Sequence, residues 1–203
     1  MSRLTSTDNA VAYGRGLLTG RRVRLRPLHD SDLAVLEAWW EDPSWMPLQQ
    51  GAVRPAPLGR ARELFTVWST NSTPGAAGFS IVDVDDRLIG HITLYGATVP
   101  ERAATLAVMV GPEFTGRGLG TDAVAVMLRY GFLEMGLNRI ELTVWGFNDR
   151  AVRAYRRCGF VVEGRRREAV YHNGVFSDQI IMSVLHSEWC ADERSSAPTG
   201  PGA

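Results

Sequence analysis

Residues Phe114–Gly120 read FTGRGLG and run without a break into TDAVAVMLRYGFLEMG, Thr121–Gly136. Three glycines in five residues let a backbone approach a ligand closely, and the apolar residues that follow recur at helical spacing. A helix start leaves up to four amide N–H groups unpartnered and gathers partial positive charge there. With Arg117 inside it, a glycine loop opening such a helix predicts an anion site, most simply a phosphate site, over Thr115, Gly116, Arg117, Gly118, Leu119, Gly120 and Thr121. No Gly-Lys-Ser/Thr ending makes it a Walker A loop. It is also a poor dinucleotide fingerprint, because Thr121 stands where a third glycine belongs and the preceding strand lies in a meander.

On the N-terminal side of the loop, GFSIVDVDDRLIGHITLYGA (78–97) holds two apolar runs split by Asp83 to Arg87, and ATLAVMVG (104–111) supplies a third. The pattern predicts three consecutive antiparallel strands. Further upstream, RRVRLRPL from Arg21 alternates as a half-buried strand does. Asp30-Ser31-Asp32 starts a helix carrying Leu33, Leu36, Trp39 and Trp40, and a second helix covers Gly59 to Thr70 beyond an exposed proline-rich loop. On the C-terminal side come a strand RIELTVWGF, a helix DRAVRAYRRC, and two closing strands joined at Asn173-Gly174, a strong hairpin turn. The expected fold is mixed α/β (α+β), with a mostly antiparallel twisted sheet and about four helices. One domain spans 21–189, between a flexible extension at 1–20 and a disordered tail at 190–203, both rich in small and polar residues.

The 203 residues carry 22 basic and 22 acidic side chains, so net charge gives no reason to expect a nucleic-acid or membrane-surface partner. All the basic residues are arginine, which reads as coding bias. Cys158 and Cys190 have neither CxxC nor Cys/His spacing, so neither structural zinc nor a disulfide framework is expected. No signal-type or membrane-spanning apolar run occurs, and the expected location is the cytoplasm.

VMVGPEFTGRGLGTDAV, VWGFNDRAVRAYRRCGF and GRRREAVYHNGVFSDQIIMSVL together resemble the GNAT acyl-CoA N-acyltransferases, in their RimJ/RimL branch of ribosomal-protein N-terminal acetyltransferases, over roughly residues 20 to 189. The resemblance implies a sheet splayed at the acyl-CoA site, acetyl-CoA as co-substrate, no metal, and direct acetyl transfer to a primary amine, either a protein N-terminus or a small molecule. It further implies that backbone groups near Met109 and Val110 pair with the pantetheine. Asn148 would contact the coenzyme arm, and Tyr155 would protonate the departing thiolate. Dimers are common in such proteins. Two positions depart from the pattern: Thr115 stands where Gln or Arg is usual, and Thr105 where a glutamate base often stands.

His91 is then the first candidate for a general base, ahead of the turn carboxylates Glu101 and Glu113, while Asp178 shapes a turn or the acceptor site. Each candidate keeps a structural alternative: Asn148 as a helix cap, Tyr155 as a core-edge tyrosine, His91 as a sheet histidine. Without a placed base, an α-amine of pKa about 7.7–8.0 is a better nucleophile at neutral pH than a lysine near 10.4. Polyamines, antibiotics and larger acyl groups such as succinyl remain alternatives, as does a non-catalytic acyl-CoA sensor. Trp39, Trp40, Trp45 and Met46 are candidates for the acceptor pocket.

Overall fold

The computed structural model describes residues 5–196, with the side chains of 192–196 excepted. The chain opens with helix α1 (Thr7–Leu17), strand β1 (Val23–Arg26) and helices α2 (Asp30–Trp40), α3 (Met46–Gln50) and α4 (Arg60–Trp68). A meander follows, β2 (Ala77–Asp83), β3 (Leu88–Tyr95) and β4 (Ala103–Val110), in which the Asp83 carboxylate accepts from the Asp85 and Arg87 amides to close the first turn. A single 3-10 turn at Pro112–Phe114 leads into α5 (Leu119–Leu133), β5 (Arg139–Trp145) and α6 (Asp149–Arg157). The hairpin β6 (Val161–His172) and β7 (Val175–Leu185) precedes α7 (His186–Ser196).

Seven strands form one mixed sheet in the order β1-β2-β3-β4-β5-β7-β6, antiparallel except where β4 meets β5. Alternation along each strand sends side chains to opposite faces. Ile92, Leu94 and Leu106 join the main core with Val124, Met127 and Leu128 of α5. Met109 turns instead to a second cluster with Leu36, Ala61 and Phe65 beneath α2 and α4. A buried network fixes α2: the Asp32 carboxylate accepts from Arg26 (2.7 and 2.9 Å), Ser80 Oγ (2.7 Å) and the His29 amide (3.0 Å).

The seven α-helices among the described residues exceed the four expected. Helix α1 occupies the extension anticipated as loose, held because Arg129 donates to the carbonyls of Gly16, Leu17 and Thr19 at 2.7–3.1 Å. Its sequence buries only Leu17, so no apolar stripe announces it. Helix α7 carries regular structure into the tail expected from residue 190, with Trp189 against Phe132 (5.4 Å). The rest of that tail, 197–203, lies outside the described residues.

The parallel pairing of β4 with β5 covers only Ala103–Thr105 against Arg139–Glu141. Beyond it β4 stays with β3 as far as Val110, and β5 stays with β7 as far as Trp145, so a gap opens in the middle of the sheet. In an antiparallel pair, successive residues point their N–H and C=O alternately toward and away from the partner. Gly111 N–H donates to the Ile89 carbonyl (2.9 Å), which assigns Met109, Ala107 and Thr105 to β3 and leaves Leu106, Val108 and Val110 facing the gap. The Gly146 amide donating to Asp178 (2.7 Å) likewise turns Thr143 and Trp145 toward the gap from β5.

Candidate active site

The glycine loop turns because Gly116 and Gly118 adopt φ of +77° and +78°, the left-handed region that side chains disfavour. Gly118 is the N-cap of α5 and offers no side-chain cap, and the first helical bond runs from Asp122 N–H to Gly118 O (3.0 Å). The N–H groups of Leu119, Gly120 and Thr121 therefore have no intrahelical partner and collect at the positive end of a 15-residue helix. The Asp122 carboxylate accepts from the amides of Arg21, Arg22 and Val23, and Arg22 donates to the Arg117 carbonyl (2.8 Å), so the loop is tied to the start of β1.

This helix start forms one wall of a cavity of about 220 Å³, with Val108 and Val110 of β4, Thr115, Gly116, the α6 residues Ala154 and Tyr155, and Cys158 just past the end of α6. Arg150 and Arg157 add formal positive charge to its wall. The exposed Arg117 side chain does not line it; the loop contributes backbone there, and the expected cation comes from α6 instead. Met109 needs a correction as well. Its backbone groups belong to the β3 ladder, as the Met109 carbonyl lying 2.1 Å from where a Gly90 Cβ would stand also shows, and Val108 takes its place at the gap. Strand alternation makes the one-residue difference decisive.

A second cavity, about 680 Å³, lies on the α4 side. Its wall includes Trp40, Phe65, Trp68, Tyr95, Thr105 and Trp145. The first three interlock edge to face at 5.4–5.7 Å between centroids, which fixes their ring planes. Leu48, Gln49, Val108, Met109, Asn148, Ala151 and Tyr155 line both cavities, so the two meet where the sheet splays. Helix α3 brings Leu48 and Gln49 over this seam, and the close approach of Gly51 to Trp145 leaves no room for a Cβ there, which would come within 2.8 Å.

Tyr155 stands at the seam, partly buried, with burial pushing its hydroxyl up to about 12 and Cys158 adding to the shift. Asn148 caps α6 by accepting from the Ala151 amide (3.2 Å) while also lining both cavities, so the cap leaves it on the cavity wall. His91 lines the second cavity, but only 3% of it is exposed and its Nε2 lies 2.8 Å from Ser69 Oγ. Burial pushes it down to about 4, against the pull of the Asp32 carboxylate, and so removes the basicity a general base needs at neutral pH. Glu101 accepts from Thr98 Oγ1 (3.0 Å) in its turn, and neither it nor Glu113 lines a cavity. Asp178 holds a bulge in the closing hairpin through Arg165 and the Glu168 amide. Trp40 and Trp45 reach the cavity walls, whereas Trp39 packs on Phe114 (6.0 Å) and Met46 is fully buried. The sequence reading missed Gln49, Arg150, Thr143 and Trp145; nothing in WMPLQQ distinguishes Gln49 from Gln50.

A cationic helix start, an open backbone edge and a roofed seam between two cavities define a protein that binds an extended phosphate-bearing ligand through the sheet and meets a second reactant from the other side. The acetyltransferase (GNAT) domain model matches residues 22–161, and the chain belongs to this family. Spermidine N(1)-acetyltransferase of Escherichia coli K12 is 26% identical over 187 residues, covering 87% of this chain and 93% of that protein. YdaF of Bacillus subtilis, provisionally named a ribosomal N-acetyltransferase, is 32% identical over 105 residues, 52% of this chain and 57% of the relative. The crystal structure of the Vibrio cholerae spermidine N-acetyltransferase with CoA and spermine superimposes with a TM-score of 0.73 at 26% identity, covering 83% of this chain and 98% of that one. The protein is thus an N-acetyltransferase that takes acetyl-CoA as co-substrate and an amine as acceptor. The splayed GNAT sheet expected from sequence is present.

Proposed function

We propose that this enzyme is of the RimJ/RimL type and acetylates an α-amine, on a peptide N-terminus or a small molecule, in the cytoplasm, with residues 21–189 as the catalytic domain. The observation that carries this reading is the seam: Tyr155 and the gap-facing backbone of β4 lie where the two cavities join. The phosphates of acetyl-CoA sit at the α5 start near Arg150 and Arg157, and its pantetheine amides pair with Val108 and Val110 as a further strand would. The amine enters from the aromatic cavity and attacks the thioester carbonyl, which a β4 amide polarises. The carbon–sulfur bond then breaks and Tyr155 gives its proton to the leaving sulfur.

Proton transfer from a phenol near 12 to a thiolate is favourable only if the thiol is similarly weak as an acid. Cys158, on the same wall, records what this environment does to sulfur: burial, with a contribution from Asp122, pushes its thiol up to about 12. Desolvation of the coenzyme sulfur raises its thiol in the same direction as burial raises Tyr155, which narrows the gap between the two acids. The same reading includes a homodimer through the closing hairpin, whose Val161, Tyr171, Val175 and Phe176 are exposed in one chain.

A second reading, acetylation of a polyamine, draws on the spermidine acetyltransferase relatives. Thiol release from acetyl-CoA across N-terminal peptides, lysine peptides and polyamines, with product mass, separates the two. Tyr155→Phe is expected to lower kcat on the order of 10²-fold while leaving the Kd for acetyl-CoA within about twofold. Unchanged turnover in that variant removes Tyr155 from the mechanism, and products acetylated only on lysine side chains or polyamines remove the α-amine reading.

A further inference from the structure

The second cavity has an unusual wall for an enzyme whose relatives act on a polycation. Among the described residues that line it there is no aspartate, glutamate or arginine. Its only titratable histidine, His91, is neutral at physiological pH, and the opposing charges of Arg26 and Asp32 are spent on each other behind it. What remains is an uncharged wall, aromatic and aliphatic surface with Trp68 and Phe65 set edge to face, together with neutral polar groups such as Thr93, Thr105, Thr143 and Asn148.

Among its neutral polar side chains, Gln49 differs from the rest. Both amide atoms of Gln49 are shielded from solvent, and neither has a hydrogen-bonding partner among the described residues. Gln49 lines both cavities, at the seam where acetyl transfer takes place. A buried amide without partners is a standing cost unless an occupant satisfies it. The carbonyl oxygen accepts from an amine N–H and the NH₂ donates to a carbonyl, so either orientation of the group suits a site where an amine meets an acyl carbonyl.

We propose that the acceptor is a primary amine on an uncharged aromatic or apolar body, which fills the cavity between Trp40, Phe65, Trp68, Tyr95 and Trp145 while the Gln49 amide positions its nitrogen. This rests on the acetyl-transfer reading of the site and narrows it to one class of amine. Aromatic faces hold a single ammonium group, but a polyamine brings further charges beyond the nitrogen that reacts, and this wall offers them no counter-charge. A wall without carboxylates also favours the neutral, nucleophilic form of the amine. At pH 7 about 10% of an α-amine of pKa ~7.9 is in that form, against about 0.04% of a lysine side chain of pKa ~10.4. The absence of a strong base from the cavity is consistent with this: the acceptor arrives neutral, attacks the thioester carbon and loses its extra proton to solvent, the sulfur takes the Tyr155 proton as the carbon–sulfur bond breaks, and solvent returns one proton to the Tyr155 phenolate.

The test is kcat/KM at saturating acetyl-CoA for phenylalaninamide, tryptophanamide, phenylethylamine, alaninamide, Nα-acetyl-lysinamide and spermidine, with product mass. The two amino-acid amides and phenylethylamine distinguish a peptide-like acceptor from a simple arylalkylamine. At least one aromatic amine is expected to exceed spermidine and Nα-acetyl-lysinamide tenfold or more. Gln49→Leu should lower that preferred reaction at least tenfold, whereas Gln49→Glu should move the aromatic-to-spermidine ratio tenfold toward spermidine, a change in selectivity that mere loss of structure does not produce. Trp68→Leu, which removes one cavity face, should lower the aromatic preference independently of α3. Preference for spermidine overturns the proposal while leaving acetyl transfer intact, and so does an unchanged selectivity ratio in both Gln49 variants. Acetyl-CoA binding with no amine acetylated overturns the transfer reading together with the proposal.

Discussion

His91 sits on the interior strand β3 with its ring against Phe65 (5.1 Å) and Trp68 (6.3 Å), and its surroundings decide its chemistry more than its residue type does. A histidine in water takes up a proton near 6.5; this one, buried, does so near 4. The unfolded chain therefore binds the proton first as pH falls, and folding stability drops between about 6.5 and 4. The loss attributable to this residue is on the order of 3 kcal/mol, complete below pH 4. Denaturant unfolding of the wild type and His91→Asn between pH 7 and 4 measures it as the difference between the two slopes; parallel curves would mean that His91 titrates in the fold as it does in water. In the same pH range kcat/KM should follow the pKa of the acceptor amine, with no limb near 6.5. Thr105, on the same cavity wall, supplies no charge that could serve as a base in place of His91.

At the scale of elements, the glycine loop was legible because its meaning is local: glycines, a helix start and an apolar stripe are all visible within about twenty residues. Gly118→Ala tests the loop as a unit. A Cβ there meets only Arg22 Nη1 at 3.7 Å, so space is available and the cost is the left-handed φ of +78°, about 1–2 kcal/mol. For a chain of this size that corresponds to a fall in Tm of roughly 2–8 °C, with a weaker grip on the phosphates because the unpartnered amides no longer share one geometry. A variant with native Tm and native acetyl-CoA affinity would show that the cradle tolerates a side chain. The strands and four of the helices were equally legible from their periods. Helix α1 was not, since it is held by long-range bonds, Arg129 to its last carbonyls and Tyr13 to Glu134, and α3 is five residues whose value lies in roofing a seam between distant strands. Val108 rather than Met109 at the gap depends on which neighbour β4 pairs with, a fact about β3 and β5 that no reading of β4 alone contains.

Across the whole molecule the sheet is two pieces, β1 to β4 and β5 with β7 and β6, held together in the ladder by three residue pairs at Ala103–Thr105. A sheet that keeps backbone groups unpaired at its centre costs stability that a ligand shaped like a strand restores, so acetyl-CoA should act as a structural component as well as a reactant. At a hundredfold excess over Kd the linkage amounts to about 2.7 kcal/mol, and Tm should rise by roughly 5–11 °C. Hydrogen exchange locates the effect more sharply than melting does. Amides of Val108 and Val110 on β4, and of Thr143 and Trp145 on β5, face the gap and should exchange quickly in the free enzyme. The Met109 amide, already given to His91 across the β3 ladder, should exchange slowly with or without ligand. Acetyl-CoA should slow the β4 pair selectively, because pantetheine supplies the strand that β5 withholds. If Met109 gains protection as large as its neighbours do, the coenzyme tightens the whole sheet rather than completing it, and the gap is not where the pantetheine lies.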